Sequence, residues 1–190
     1  MPRIEYIEEN KIDHETKKLI EFAEDSGAPD PRCVRIFTRN SDAGSAWVKY
    51  WNSLFYHGIL PHTLKELCRI YISIDHECGY CSTARSSQAK KEGLTEDKIN
   101  ELFKFNESNL FTIKEKAALT FAKLFKEGEN SIDKDEVYND LKKEFTEEEI
   151  IELGQMCAQT DGVGKFTRSL GIISWTDACE INPSLKTSSN

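Results

Sequence analysis

Apolar residues recur at helical spacing along most of the chain. Trp47, Tyr50, Trp51, Leu54 and Phe55 form one stripe, and Ala117, Ala118, Phe121, Leu124 and Phe125 form another. Steps of three and four place each set on one side of a helix, wide enough to face a core. Thr63 to Glu66, Thr112 to Glu115 and Thr146 to Glu149 each set a hydroxyl three residues before a carboxylate. That spacing lets both side chains satisfy backbone N–H groups at a helix start. Asp133 with Glu136 is a looser version. Breakers fall at Gly27 to Pro31, Gly58 to Pro61, Gly93, Gly128 and Gly162 to Gly164. Sustained alternation is missing apart from Val34 to Phe37, which reads as a short extended piece. The pattern predicts an all-α, single-domain bundle of about seven or eight helices. A loosely packed lead-in over 1–40 carries one helix near Glu15 to Asp25, the bundle spans 41–181, and 182–190 reads as a frayed polar tail.

Composition narrows the functions open to such a bundle. The 190 residues include 25 Lys+Arg and 33 Asp+Glu, a formal charge of −8. A chain of this length buries roughly 70% of the surface its unfolded form exposes, so it needs neither disulfides nor metals to hold a core. The acidic balance, without any Lys/Arg-rich block, argues against nucleic acid as a partner. No apolar run approaches the ~20 residues that span a bilayer. Acids at Glu5, Glu8 and Glu9 stand where a signal peptide would have its apolar stretch. A cytoplasmic protein without a membrane partner is expected. In that reducing compartment Cys33, Cys68, Cys78, Cys81, Cys157 and Cys179 read as thiols rather than a structural framework. Any disulfide among them should be a working one.

Cys78-Gly79-Tyr80-Cys81 is the feature that points to chemistry. The segment from Pro61 to Asp75 is helical in pattern, with Leu64, Leu67, Cys68 and Tyr71 on one face. The cysteines that follow would sit in the first turn of the next helix, at i and i+3. Unshielded N–H groups at a helix start favour negative charge, and the thiolate is the nucleophile. At a free pKa of ~8.5 only about 3% of a thiol is ionised at pH 7, so a modest downward shift matters. The spacing lets one sulfur attack a substrate and the other resolve the product as a disulfide. Inert buried thiols are the bland alternative. A metal site would add His76 to the two thiolates, with Cys68 or His62 brought near by folding, but no fourth ligand stands at zinc spacing.

Glu66 and Arg85 are the next candidates. If the chain turns back near Glu77 to Gly79, two antiparallel helices set Glu66 opposite Arg85. Arg85 also lies four residues after Cys81, on the same face of a continuing helix, where its permanent charge would stabilise a thiolate. The bland readings are a capping-box acid for Glu66 and a solvated charge for Arg85. Trp47 and Trp51 suit a core or subunit contact better than a pocket wall. Arg69 reads as a surface charge, with an anion contact as the alternative. Cys33, Cys68, Cys157 and Cys179 read as apolar filling.

Leu60-Pro61-His62-Thr63-Leu64-Lys65-Glu66-Leu67, then Cys78-Gly79-Tyr80-Cys81, then Gly93-Leu94-Thr95-Glu96-Asp97-Lys98-Ile99 resemble the alkylhydroperoxidase D-like branch of the carboxymuconolactone decarboxylase family. Thr112 to Ala122 and Phe145 to Gly171 resemble its later helices. The likeness spans roughly residues 45 to 175 and includes Glu66 at the family's distance before Cys78. It implies an all-helical fold assembled as trimers or hexamers, with thiol-dependent peroxidase or disulfide reductase activity and no cofactor. It further implies that Cys81 is oxidised to a sulfenic acid, that Cys78 resolves it, and that Glu66 is the carboxylate of a proton relay. An electron-donor protein or dithiol would re-reduce the pair.

The family's redox members carry a histidine four residues after the second cysteine and often another between the two. Arg85 and Tyr80 stand there in this chain. Arginine cannot shuttle a proton. Tyr80, water held by Glu66, or His76 would have to do so. Gly164 and Lys165 replace an Asn and an Arg of many relatives. A decarboxylase-like enzyme or a redox-sensing, non-catalytic oligomer are the competing functions.

Overall fold

The computed structural model describes residues 2–127 and 131–187, all of the described elements helical. The Gly128 breaker and the last three residues lie outside that range. In chain order the α-helices are α1 (His14–Asp25), α2 (Val34–Phe37), α3 (Ser41–Tyr56), α4 (His62–Asp75), α5 (Gly79–Thr83), α6 (Ser87–Lys91), α7 (Glu96–Asn100), α8 (Ile113–Glu127), α9 (Asp135–Leu141), α10 (Glu147–Leu170) and α11 (Trp175–Ile181). The segments outnumber the seven or eight expected because the stretch after the cysteines breaks into one-turn pieces.

α4 is the axis of the bundle, packed against α10, α8, α5, α6 and α3. Leu64, Leu67, Cys68, Ile70, Tyr71, Ile72 and Ile74 point to several sides of it and are all buried, as an apolar helix surrounded by others requires. Its buried polar groups are paired. Lys65, 1% exposed, donates to the carbonyls of Leu54 and His57 at 2.9 and 2.6 Å and to Glu152 Oε1 at 2.9 Å. Glu152 in turn accepts from the Ile59 and Leu60 N–H groups, so the pair pins the α3–α4 turn to α10. Lys65→Ala strips that carboxylate and two helix-end carbonyls of their buried donor. The expected loss is about 3 kcal/mol, read as a fall of roughly 6–12 °C in the thermal midpoint.

The helix starts divide by what competes for their side chains. Thr146 and Glu149 form the expected capping box, and Thr112 with Glu115 exchanges the same two bonds. Thr63 and Glu66 do not. α4 begins at His62 behind Pro61, and Glu66 is drawn to a charged partner instead. Nor does Asp133 cap α9, whose N-cap is Lys134 without a side-chain bond.

The described residues near both ends are more tightly held than expected. Val34 to Phe37 is helical, not extended, because Asp30 caps the turn at Pro31–Cys33 that leads into it. Arg3 N–H bonds Leu170 O at 2.7 Å, and Arg35 Nε bonds Ile7 O at 2.6 Å. At the other end Pro183–Thr187 is a 3-10 helix with Leu185 buried, where a frayed tail was expected. Among the described residues no helix is long and apolar enough to cross a membrane.

Candidate active site

Cys78 is the N-cap of α5, and its Sγ accepts the Cys81 N–H at 3.3 Å, so the pair sits in the first turn as its spacing indicated. The two sulfurs are joined as a disulfide, with Cα atoms 5.3 Å apart. Gly79 allows this turn to rest on the start of α11, since a Cβ there would lie 2.4 Å from Ser174 O and 2.5 Å from Ile173 O. Cys78 is wholly buried, whereas Cys81 borders a cavity of ≈ 150 Å³.

That cavity is mostly aromatic and aliphatic. Phe22 of α1, Phe37 of α2, and Trp47, Trp51 and Phe55 of α3 wall it, with Cys33, Tyr80, Glu66, Arg69, Arg85 and Ser86 at its polar side. Trp47 and Trp51 are therefore wall residues rather than simple core. Cys33, read from the sequence as isolated filling, is also in the wall, 2.8 Å from the Tyr80 hydroxyl. Burial pushes the Cys33 thiol up to about 12 and the Tyr80 phenol well above its ordinary value. Both are neutral at physiological pH, so Tyr80 offers a hydrogen bond but neither releases nor takes up a proton readily.

Arg69, expected at the surface, is buried and is the partner that Glu66 finds. Its Nε donates to Glu66 Oε2 at 2.6 Å and its Nη2 to Oε1 at 2.8 Å, a bidentate pair one helical turn apart. Arg69 Nη1 also reaches Cys81 O at 2.7 Å and Nη2 reaches Ala84 O at 2.8 Å. The Ser86 N–H donates to Glu66 Oε1 at 3.0 Å. Burial works to raise the Glu66 pKa, but the Arg69 charge, its hydrogen bonds and the Ser86 N–H outweigh it and hold the carboxyl below the usual range. Glu66 thus fixes the backbone that carries Cys81 and is a weak proton acceptor near neutrality.

Arg85 does not meet Glu66. Helix α5 ends at Thr83 and Ala84 is extended, which breaks the helical register that would have set Arg85 above Cys81. Its guanidinium instead bonds Glu96 at 3.1 and 3.2 Å and the Ser82 carbonyl at 2.6 Å. His76 faces α10, with Nε2 2.8 Å from Asp161 Oδ1. Gly164 lies directly against it, since a Cβ there would come 2.8 Å from His76 Nδ1. Lys165 extends outward to Asp161 at 2.6 Å. Cys68, Cys157 and Cys179 are buried in the main core. Among the described residues no group of three or more His, Cys, Asp or Glu side chains is arranged to hold a metal.

The structure sets a cysteine pair at a helix start and a buried carboxylate on the preceding helix, among the residues on which the sequence resemblance was drawn. Residues 41–124 match the model of the carboxymuconolactone decarboxylase family, which bears out that resemblance. An uncharacterized protein of Bacillus subtilis (strain 168), YdfG, is 28% identical over 112 residues, 59% of this chain and 76% of its own length. Among solved structures, the debrominase Bmp8, as a cysteine-to-alanine variant in complex with 2,3,4-tribromopyrrole, superposes with a TM-score of 0.71. It is 17% identical, with 98% of this chain and 95% of that one covered. A protein of unknown function from Agrobacterium tumefaciens, provisionally assigned to antioxidant defence as AhpD, gives 0.63 at 21% identity, over 70% of this chain and 91% of its own. At these identities the structural likeness is one of fold.

Proposed function

We propose that the chain is a thiol-dependent oxidoreductase of antioxidant defence, in which Cys81 attacks a hydroperoxide or disulfide in the cavity and Cys78 resolves the product. The observation that carries this reading is the asymmetry of the pair. Cys81 borders the cavity, and wholly buried Cys78 lies within bonding reach behind it. With a hydroperoxide, the Cys81 thiolate bonds the distal oxygen, the O–O bond breaks, and the leaving alkoxide takes a proton to become an alcohol. Cys78 then attacks the sulfenic acid and water leaves, so two thiols and one hydroperoxide give a disulfide, an alcohol and water. An external dithiol returns the two electrons. Assembly as a trimer or hexamer is part of the same reading.

Titrating fully reduced protein with peroxide tests it. Two thiols per chain should be lost, mapping to a Cys78–Cys81 link, and Cys81→Ser should abolish turnover with a dithiol donor. Peroxide reduction by that variant at the wild-type rate would reject the assignment.

The aromatic cavity favours a second reading, reductive dehalogenation of a small ring. A cavity near 150 Å³ is the size that accepts one benzene-like ring, and Bmp8 binds a brominated pyrrole. The Cys81 thiolate would take bromine from carbon, the ring carbon would gain a proton, and Cys78 would displace bromide as the disulfide forms. Bromide release from 2,3,4-tribromopyrrole with a dithiol donor, set against the peroxide rate, separates the two.

A further inference from the structure

Either reaction needs a group that holds the Cys81 proton until the leaving group claims it. Arg69 and Arg85 stay charged. Glu66 is held as an anion by Arg69, Tyr80 and Cys33 are held neutral by burial, and His76 is turned to α10. One imidazole is wired to the cavity by another route. His62, at the start of α4, is buried, with Nδ1 2.8 Å from Phe55 O and Nε2 2.6 Å from Ser86 Oγ. A carbonyl only accepts, so Nδ1 carries the hydrogen. The neutral ring therefore presents the lone pair of Nε2 to the Ser86 hydroxyl. Ser86 lines the cavity that Cys81 borders, and so does Tyr56, whose ring stacks on His62 with centroids 5.0 Å apart.

We propose that His62, acting through the Ser86 hydroxyl, takes up the proton that leaves the Cys81 thiol and returns it to the leaving group. It does the work that the family assigns to a histidine four residues after the second cysteine. The inference rests on Cys81 being the attacking thiol. A water in the cavity takes the thiol proton and gives one of its own to Ser86 Oγ while the Ser86 hydrogen passes to His62 Nε2, leaving a thiolate and an imidazolium. When the O–O bond breaks, the same route runs backward and the alkoxide leaves as alcohol, with His62 neutral again. His62 touches no substrate and is a positioning residue for the proton. The neighbours that face the ring are Glu66, which interacts with it from its own helix, Tyr56 from α3 and Ser86 from the loop before α6. Lys65 is committed to Glu152 and Arg85 to Glu96.

The test follows the pH dependence of iodoacetamide attack on Cys81 in fully reduced protein, mapped by peptide mass from about pH 5 to 9. Wild type should show a midpoint at least about one unit below the free-thiol ~8.5. His62→Gln and Ser86→Ala should each raise it by about one unit or more, Ser86→Thr should restore it, and His57→Gln, on an exposed residue, should leave it alone. Unchanged midpoints in both His62→Gln and Ser86→Ala would overturn the proposal. Because His62 is buried and its variant could unfold, the wild-type imidazole is also followed by NMR. Its resonances should report hydrogen on Nδ1 with Nε2 as acceptor, and their positions at one pH should change between the dithiol and disulfide forms. Resonances indifferent to the state of the pair would overturn the proposal as well. Neither readout requires turnover. A protein that reduces no peroxide but keeps a His62-dependent midpoint would reject the peroxidase reading and retain the relay.

Discussion

Glu66→Gln should cost the fold about 3–5 kcal/mol, because it leaves the Arg69 cation buried without its counter-charge. Glu66 is 2% exposed and receives both Arg69 bonds and the Ser86 N–H, so the amide cannot reproduce the three contacts. Glutamine keeps the shape but presents an N–H₂ to a guanidinium that has only donors. A urea titration reads the loss directly, and a midpoint shifted by less than about 1 kcal/mol equivalent would show that Arg69 is satisfied by the Cys81 and Ala84 carbonyls alone. The same pair fixes the acid behaviour. The folded carboxyl is held below its unfolded value. Its stabilisation is therefore complete above the usual glutamate range near ~4.3 and is lost as pH falls through the folded pKa. Wild-type stability should drop steeply below that range, and the Gln variant should lack this component.

Gly27→Ala should cost about 2–4 kcal/mol and loosen the cavity wall. The residue has φ +94°, and an added Cβ would lie 2.1 Å from the Arg85 carbonyl oxygen, a backbone atom that cannot rotate aside. The contact matters because Ser87 N–H bonds Ser26 O at 3.0 Å here, fastening the end of α1 to the loop that carries Arg85 and Ser86. Gly93 supplies the control, since it has φ +98° with nothing within 4 Å of the added Cβ. Gly93→Ala should show only the backbone strain, about 1–2 kcal/mol. If the two variants melt together, the close approach at Gly27 carries no energy.

The sequence made the helical class plain because amphipathic stripes and hydroxyl-to-carboxylate starts are local signals. Thr146 and Thr112 behaved accordingly. Thr63 failed because a local cap competes with a buried arginine one turn further on, and nothing nearby in sequence reveals that burial. The cysteine pair was readable from its spacing, whereas the residues alone left Glu66 between a site carboxylate and a capping acid, and only the resemblance gave it a role. Its partner was misassigned. Arg85 and Arg69 are equally charged, and the choice between them depends on where α5 stops, a matter of one extended residue at Ala84. Cys33 and His62 were harder still. Cys33 lies 47 residues from the tyrosine it bonds and His62 lies 24 from its serine, separations at which periodicity carries no information. The one available signal for the first was the apolar run Cys33, Val34, Ile36 and Phe37, whose spacing also suits one face of a helical turn.

That run has a consequence for how the site is built. The family match begins at residue 41, yet Phe22, Cys33, Val34 and Phe37 all stand in the cavity wall. The wall is therefore shared between the matched stretch, which supplies Trp47, Trp51 and Phe55, and the segment before it. Helix α5 carries the cysteine pair, and the segment before α3 closes one side of the cavity like the cheek of a mould. A graft that replaces residues 14–37 would recast one wall of the cavity, provided it preserved the Cys33–Tyr80 and Ser26–Ser87 contacts that tie that wall to the cysteine loop.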